Sequence, residues 1–352
     1  MGKTIVLTGG GTAGHVTPNL AISDDLIHNG YQLHYIGTQN GIEHELVTNM
    51  PYHVIEAGKL RRYLSKENIK DFFKVFKGYR QAKRILKELA PALVFAKGGY
   101  VSVPVVYAAA KLRIPVVLHE SDYSPGLANR LCLKKAQKIC LSFDTPAAHE
   151  PKGVFTGSPV RAALLSGNRE SGLDMLGFNS GKPVLLIMGG SLGAKAINDI
   201  IDHDIQAFTQ DFQIVHLRGR GNLNPSLNRI NGYCQFEYVN EQLADIFAAT
   251  DIVLSRAGAN AIFEFVALGL PSLLIPLPLS ASRGDQLENA EYFQQHGYSL
   301  VLHQEELTDA RLRDALHKLV LQKDAMRSNI TQGNETNGTQ NVLDVIYECI
   351  RQ

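Results

Sequence analysis

A chain of 352 residues with 45% hydrophobic and 20% charged side chains holds apolar material for about two globular cores. Its net charge of +1 gives no overall attraction to nucleic acid, and no apolar stretch approaches the roughly 20 residues of a spanning helix. The four cysteines form no C-x-x-C pair, which argues for reduced thiols instead of a disulfide or zinc framework.

In chain order, Ile5-Val6-Leu7 reads as a strand that enters the turn Thr8-Gly9-Gly10-Gly11-Thr12-Ala13-Gly14. A helix follows over 18–28, closed by Gly30, and buried strands are expected at 33–36, 93–95 and 115–118. The same grammar restarts at 184–187, where Met188-Gly189-Gly190-Ser191-Leu192-Gly193 echoes the first glycine turn, and continues at 214–217, 252–254 and 273–275. Strands alternating with helices predict an α/β protein with two Rossmann-like, doubly wound parallel-sheet domains facing a cleft. The expected boundaries are 1–158, 159–340, and a final helix over 341–352 whose apolar face (Val342, Val345, Ile346, Cys349) must pack on another element.

The first glycine loop contains G-x-G-x-x-G at Gly9, Gly11 and Gly14. A dinucleotide site needs an acid closing the second strand, and that strand ends in Gly37-Thr38-Gln39-Asn40, so NAD binding is disfavoured. What remains is a loop whose backbone N–H groups approach an anion, with His15 at its end as a cap or as a proton acceptor. The second loop reads equally as a phosphate cradle or as a tight strand-to-helix turn.

A third cluster, Ser255-Arg256-Ala257-Gly258-Ala259-Asn260 with Glu264, sets a strand-end arginine for diphosphate and a helical carboxylate for the two hydroxyls of a ribose. Asp285, Gln286 and Asn289 follow an apolar strand end and suit sugar hydroxyls. Asp202-His203-Asp204 spells D-x-D but falls in a helical stretch, so its acids are expected to face solvent and no metal is called for.

Taken together these motifs resemble the MurG family. The markers are Gly10-Gly11-Thr12-Ala13-Gly14-His15, Lys97-Gly98-Gly99-Tyr100-Val101-Ser102, His119-Glu120-Ser121-Asp122, Gly157-Ser158-Pro159-Val160-Arg161, residues 189–193, Arg256-Ala257-Gly258-Ala259 with Glu264, and Asp285-Gln286 with Asn289. The resemblance implies a glycosyltransferase-B fold, with the final helix packed back on the first domain. It implies inverting transfer of N-acetylglucosamine from its UDP conjugate to the 4-hydroxyl of an undecaprenyl-linked muramyl acceptor, without a cofactor. It implies donor contacts from Thr12, Ala13, Gly14, Arg161, Ser191, Val239, Arg256, Glu264, Asp285, Gln286 and Asn289. Acceptor contacts fall to Gly11, Gly98, Gly99, Tyr100, His119 and Asp122, with His15 as general base and Glu120 as its support. Ala13, Asp122, Ser158, Leu192 and Asp285 depart from the commoner family residues and read as a branch variant.

Between Lys59 and Glu88 basic residues outnumber acids, and aromatics lie among them. Phe72, Phe76 and Tyr79 share a helical face and read as a core stripe under a solvated basic face. Phe73 and Val75 with Lys74, Lys77, Lys134 and Lys135 read as a patch for an anionic membrane surface. By the resemblance the protein is peripheral to the cytoplasmic face of the cell membrane, with other cell-wall or division proteins as further partners. The rival readings are a transferase of the same fold with a different lipid acceptor, and a nucleotide-sugar-binding regulator that has no use for His15.

Overall fold

The computed structural model describes residues 3–58, 66–190, 193–333 and 337–351, with side chains from 73 onward in the helix Lys66–Leu89. The expectations for Ser191 and Leu192 lie outside the described residues, as does the side chain of Phe72. The chain divides into two compact units, Met1–Arg161 with Asn337–Gln352, and Ala162–Thr336.

The first unit carries seven parallel strands: β1 (Thr4–Thr8), β2 (Gln32–Gly37), β3 (Tyr52–Val54), β4 (Leu93–Ala96), β5 (Val116–Glu120), β6 (Lys138–Leu141) and β7 (Gly153–Phe155). Their order is β3-β2-β1-β4-β5-β6-β7. Both faces are covered, which is why Leu93–Ala96 can be an unbroken buried run instead of an alternating one. On one face Val6, Val94 and Leu118 meet Ala82, Ile85 and Leu86 of the helix Lys66–Leu89. On the other, Ile5, Leu7 and Phe95 meet the helix Thr17–His28 and the returning helix Thr339–Arg351. That last helix buries Val342, Val345, Ile346 and Cys349, and Asn341 donates to the Thr156 carbonyl at 3.1 Å.

The second unit repeats the plan with β8 (Val184–Met188), β9 (Gln213–Leu217), β10 (Tyr233–Phe236), β11 (Ile252–Ser255), β12 (Ser272–Leu274) and β13 (Ser299–Val301). The order is β10-β9-β8-β11-β12-β13, all parallel. Leu185, Ile187 and Leu254 pack on Ile197, Ile201 and the long helix Asp309–Gln332, and the opposite face packs on Leu243, Phe247 and Phe265. In each sheet the first strand of the unit sits where the strand order reverses, with β2 and β4 flanking β1, and β9 and β11 flanking β8. The loops leaving such strands are where α/β sheets take ligands. Both glycine loops occupy that position.

Candidate functional site

In the first unit the register sets Thr8 beside Ala96, so the chain leaves β1 and β4 side by side. Lys97 N–H continues the ladder to the Thr8 carbonyl at 2.9 Å. Thr12 precedes a tight turn at Ala13–His15, from which the helix Thr17–His28 departs with Pro18 in its first turn. The Thr12 hydroxyl lies 2.9 Å from His15 Nδ1. If Nδ1–H donates to that hydroxyl, Nε2 becomes the basic nitrogen, as a general base requires.

Two glycines let these loops close on one another. Gly11 (φ 89°) is left-handed, and a Cβ there would come within 2.5 Å of the Tyr100 ring. Gly99 (φ 74°) would place a Cβ 2.1 Å from the Gly10 carbonyl and 3.2 Å from His15 Nδ1. Thus Gly11, His15, Gly99 and Tyr100 are brought together, with Gly98 against the Asn129 side chain.

Two expectations at β5 are corrected. Glu120 is buried, and its carboxylate accepts from Asp122 N–H (3.2 Å), Gly126 N–H (2.8 Å) and Asn129 Nδ2 (3.0 Å). Expected as the support of His15, it instead builds the 121–126 loop from a buried position. His119 is wholly buried against Phe95, where burial and the neighbouring Lys97 hold its imidazole well below the ordinary value. Asp122 lies on the half-exposed side. Lys97, at the end of β4, is itself buried; burial lowers its pKa while Glu120 and Asp122 oppose that shift.

In the second unit, Gly193 (φ 76°) would drive a Cβ to within 2.0 Å of the Arg218 carbonyl at the end of β9. Glu264 lies half-buried on the helix Ala259–Ala267, one turn beyond Asn260 and so on the same face. Val239 is buried in the loop after β10. Asp285 and Gln286 open the helix Asp285–Gln295, where Gln286 Oε1 accepts from Leu277 N–H at 3.1 Å and Arg283 lies 3.5 Å from Asp285. Arg161 closes the first unit, half-buried.

Three further expectations are corrected in this unit. The Arg256 guanidinium turns inward, donating to the carbonyls of Ile275 (3.1 Å) and Pro276 (3.5 Å) and to Gln304 Oε1 (2.7 Å). It braces the loops after β11 and β12. Asn289 is fully buried and donates to the Ala257 carbonyl at 3.2 Å, supporting the loop that carries Glu264. Asp202 does not stand free in solvent: it is only partly exposed and is bound by Arg218, and the helix breaks at Asp204 between Lys195–His203 and Ile205–Asp211.

On the first unit Phe73 and Phe76 are 66% and 55% exposed, so Phe76 is no core residue; from the same helix Tyr79, Ala82, Ile85 and Leu86 pack into the core. Val75 is half-buried and Lys74 is exposed. Lys77 pairs with Glu56. Nearby is a groove of about 700 Å³ lined by Tyr79, Tyr107, Lys111, Arg113, Lys134 and Lys135, with Lys135 Nζ 5.8 Å above the Tyr107 ring. No helix among the described residues is long and apolar enough to cross a membrane.

Residues 5–141 match the glycosyltransferase family 28 N-terminal domain, and residues 184–344 the family 28 C-terminal domain. The chain is 49% identical to a UDP-N-acetylglucosamine–N-acetylmuramyl-(pentapeptide) pyrophosphoryl-undecaprenol N-acetylglucosamine transferase of Lachnoclostridium phytofermentans, over 98% of this chain and 99% of that one. It is 49% identical to the transferase of that name from Clostridium botulinum, covering 98% and 97%. The crystal structure of Acinetobacter baumannii MurG superposes with a TM-score of 0.74 at 26% identity, over 99% of this chain and 100% of that one. A Polygonum tinctorium UDP-glucosyltransferase shares the fold alone, with a TM-score of 0.72 at 13% identity over 100% and 99% of the two chains. With two doubly wound units and full-length identity of this order, the chain belongs to the MurG family of N-acetylglucosaminyltransferases, within glycosyltransferase family 28.

Proposed function

We propose that this enzyme transfers N-acetylglucosamine from UDP-N-acetylglucosamine to the 4-hydroxyl of undecaprenyl-diphospho-N-acetylmuramoyl-pentapeptide, with inversion, in peptidoglycan synthesis. The observation that carries this reading is the 49% identity to transferases of that name along almost the whole of both chains.

In this reading the second unit holds the donor. Glu264 accepts from both ribose hydroxyls, the backbone around Val239 meets the uracil, and the glycines Gly189, Gly190 and Gly193 after β8 let the backbone approach the diphosphate. Asp285 and Gln286, at the start of their helix, meet the sugar. The first unit holds the acceptor on Gly11, Gly98, Gly99, Tyr100 and Asp122. His15 Nε2 takes the proton of the attacking 4-hydroxyl as the anomeric carbon–oxygen bond to UDP breaks, and Thr12 keeps the ring in the tautomer that can do so. Charge developing on the leaving diphosphate is met by preorganised N–H dipoles, so the chemistry calls for no metal. Arg256, Asn289, Glu120 and His119 act by holding these loops in shape.

The acceptor is lipid-borne, and the exposed Phe73 and Phe76 beside the basic groove support docking on an anionic membrane surface from the cytoplasmic side. An assay of UDP release by the purified full chain tests the function. Release that requires both UDP-N-acetylglucosamine and the muramyl lipid is expected; hydrolysis of the donor alone, or no turnover, would refute the reading.

A further inference from the structure

Shortly beyond β2, the helix Ile42–Leu46 carries Glu43, no part of which is exposed. One carboxylate oxygen accepts the N–H of Gly11 at 3.0 Å. The other accepts the N–H of Thr38 at 3.1 Å and its hydroxyl at 2.5 Å. Three glycines make room for this group. A Cβ on Gly10 would lie 2.5 Å from the carboxyl carbon, one on Gly41 2.2 Å from an oxygen, and one on Gly37 2.9 Å from the Glu43 Cγ. Tyr52 donates to the Thr38 carbonyl at 2.8 Å and Tyr35 to the Gly9 carbonyl at 2.9 Å. Burial first, and the Glu43 charge in addition, push both phenols up, so both remain donors.

A glycine loop at a strand end ordinarily turns its N–H groups toward an anion brought by a ligand. Here the anion is internal. Since the Gly10 carbonyl and the Tyr100 ring close on Gly99 and Gly11 respectively, a carboxylate that pins Gly10 and Gly11 also fixes where His15 and Tyr100 stand. We propose that Glu43 is a positioning residue for the acceptor half of the reaction, serving as the built-in anion that holds the first glycine loop in its working shape. This inference rests on the reading that the first unit takes the acceptor.

The test is Glu43→Gln in the full-length enzyme. The amide keeps the volume but replaces one acceptor oxygen with N–H donors that meet other N–H groups. The acceptor kcat/KM is expected to fall about tenfold or more, as for a charged hydrogen bond removed, while the Kd for UDP-N-acetylglucosamine stays within about twofold. In a His15→Ala background the same substitution is expected to cost several-fold less than in the wild type, because part of its effect runs through His15. An acceptor kcat/KM that stays at the wild-type value overturns the proposal, as does an equal loss of donor affinity or full additivity with His15→Ala. Should Glu43→Gln not fold, Thr38→Val, which removes one bond to the carboxylate, is expected to lower acceptor kcat/KM about threefold with donor Kd unchanged, and no change there is equally fatal. Absence of acceptor-dependent UDP release by the unsubstituted enzyme would be a different result: it would refute the functional reading and this inference with it.

Discussion

Arg218 holds Asp202 through two parallel bonds, Nη1 to Oδ1 at 2.6 Å and Nη2 to Oδ2 at 2.8 Å, with the guanidinium almost wholly buried at the end of β9. Its Nε donates to the Asn222 carbonyl at 2.6 Å and Nη1 to the Tyr233 hydroxyl at 3.1 Å, while Asn224 donates to Asp202 at 3.0 Å. Burial pushes the Asp202 carboxyl up, but the bonds from Arg218 and Asn224 more than offset it and the net pKa is lowered. The planar fork of arginine makes this geometry possible where lysine would not. The pair fixes the 219–224 loop next to Gly193, and so bounds the backbone there from behind.

Asp202→Ala would leave that guanidinium buried without its counter-charge. The expected loss of stability is about 2 kcal/mol, toward the lower end for a broken buried pair because Asp202 is partly exposed. Thermal denaturation checks this directly; an unchanged melting temperature would show the pair to be ornamental.

Acid should weaken the second unit through His216. This ring is buried between the Tyr233 hydroxyl (3.0 Å) and Asn198 Oδ1 (3.0 Å), and burial first, with the Arg218 charge, lowers its pKa to about 3. The unfolded chain takes up the proton near pH 6.5 and the folded protein does not, so the stability is complete above pH 6.5 and declines as pH falls from there toward 3. At pH 5 the loss is expected to be about 2 kcal/mol from this group. His216→Gln should flatten the fall measured between pH 6.5 and 5; an identical slope in the variant would discount the histidine. His119 has the same sign and would contribute in the first unit.

His15→Ala is expected to lower kcat by about 100-fold or more, the usual span for removing a general base, with UDP-N-acetylglucosamine affinity within about twofold of wild type. Steady-state rates and calorimetric titration separate the two quantities. A rate within a few-fold of wild type would remove His15 from the proton transfer.

Glu264→Gln keeps the side-chain shape on the helix Ala259–Ala267 but loses the charge proposed to accept from a ribose. UDP affinity should weaken about tenfold or more, the value of a charge-assisted hydrogen bond. Equal affinities for UDP in calorimetry would place the ribose elsewhere.

Phe73→Ser with Phe76→Ser should reduce binding to vesicles containing anionic lipid, and Lys134→Glu with Lys135→Glu should do so in a way that salt masks, at about 1 kcal/mol per basic residue. Both pairs lie outside the residues proposed to take donor and acceptor, on the helix Lys66–Leu89 and at Leu133–Lys135, so turnover of a water-soluble acceptor analogue should persist. Vesicle co-sedimentation at low and high salt is the measurement; wild-type binding by both double variants would locate the membrane contact on another surface.

Much of the framework was legible in the residues alone because it is local. Ile5-Val6-Leu7, Val184-Leu185-Leu186-Ile187 and the glycines after them determine two strand-to-helix turns from propensity and backbone freedom, with no knowledge of distant partners. The apolar face of the last helix was likewise written in its spacing. Short strands such as Tyr52–Val54, Gly153–Phe155 and Ser299–Val301 left no such signature, since three residues show too little alternation and owe their state to the neighbouring strand. Tertiary structure alone decided which way the polar side chains turn. Glu120, Arg256, Asn289 and Asp202 carry the residue types of a ligand site, yet each is claimed by backbone or by a buried partner. Glu43, which no motif marked, meets Gly11 across 32 positions of sequence. A carboxylate or guanidinium taken from water must find its donors or acceptors wherever the fold delivers them, and that pairing is a property of three-dimensional neighbours that spacing along the chain does not encode.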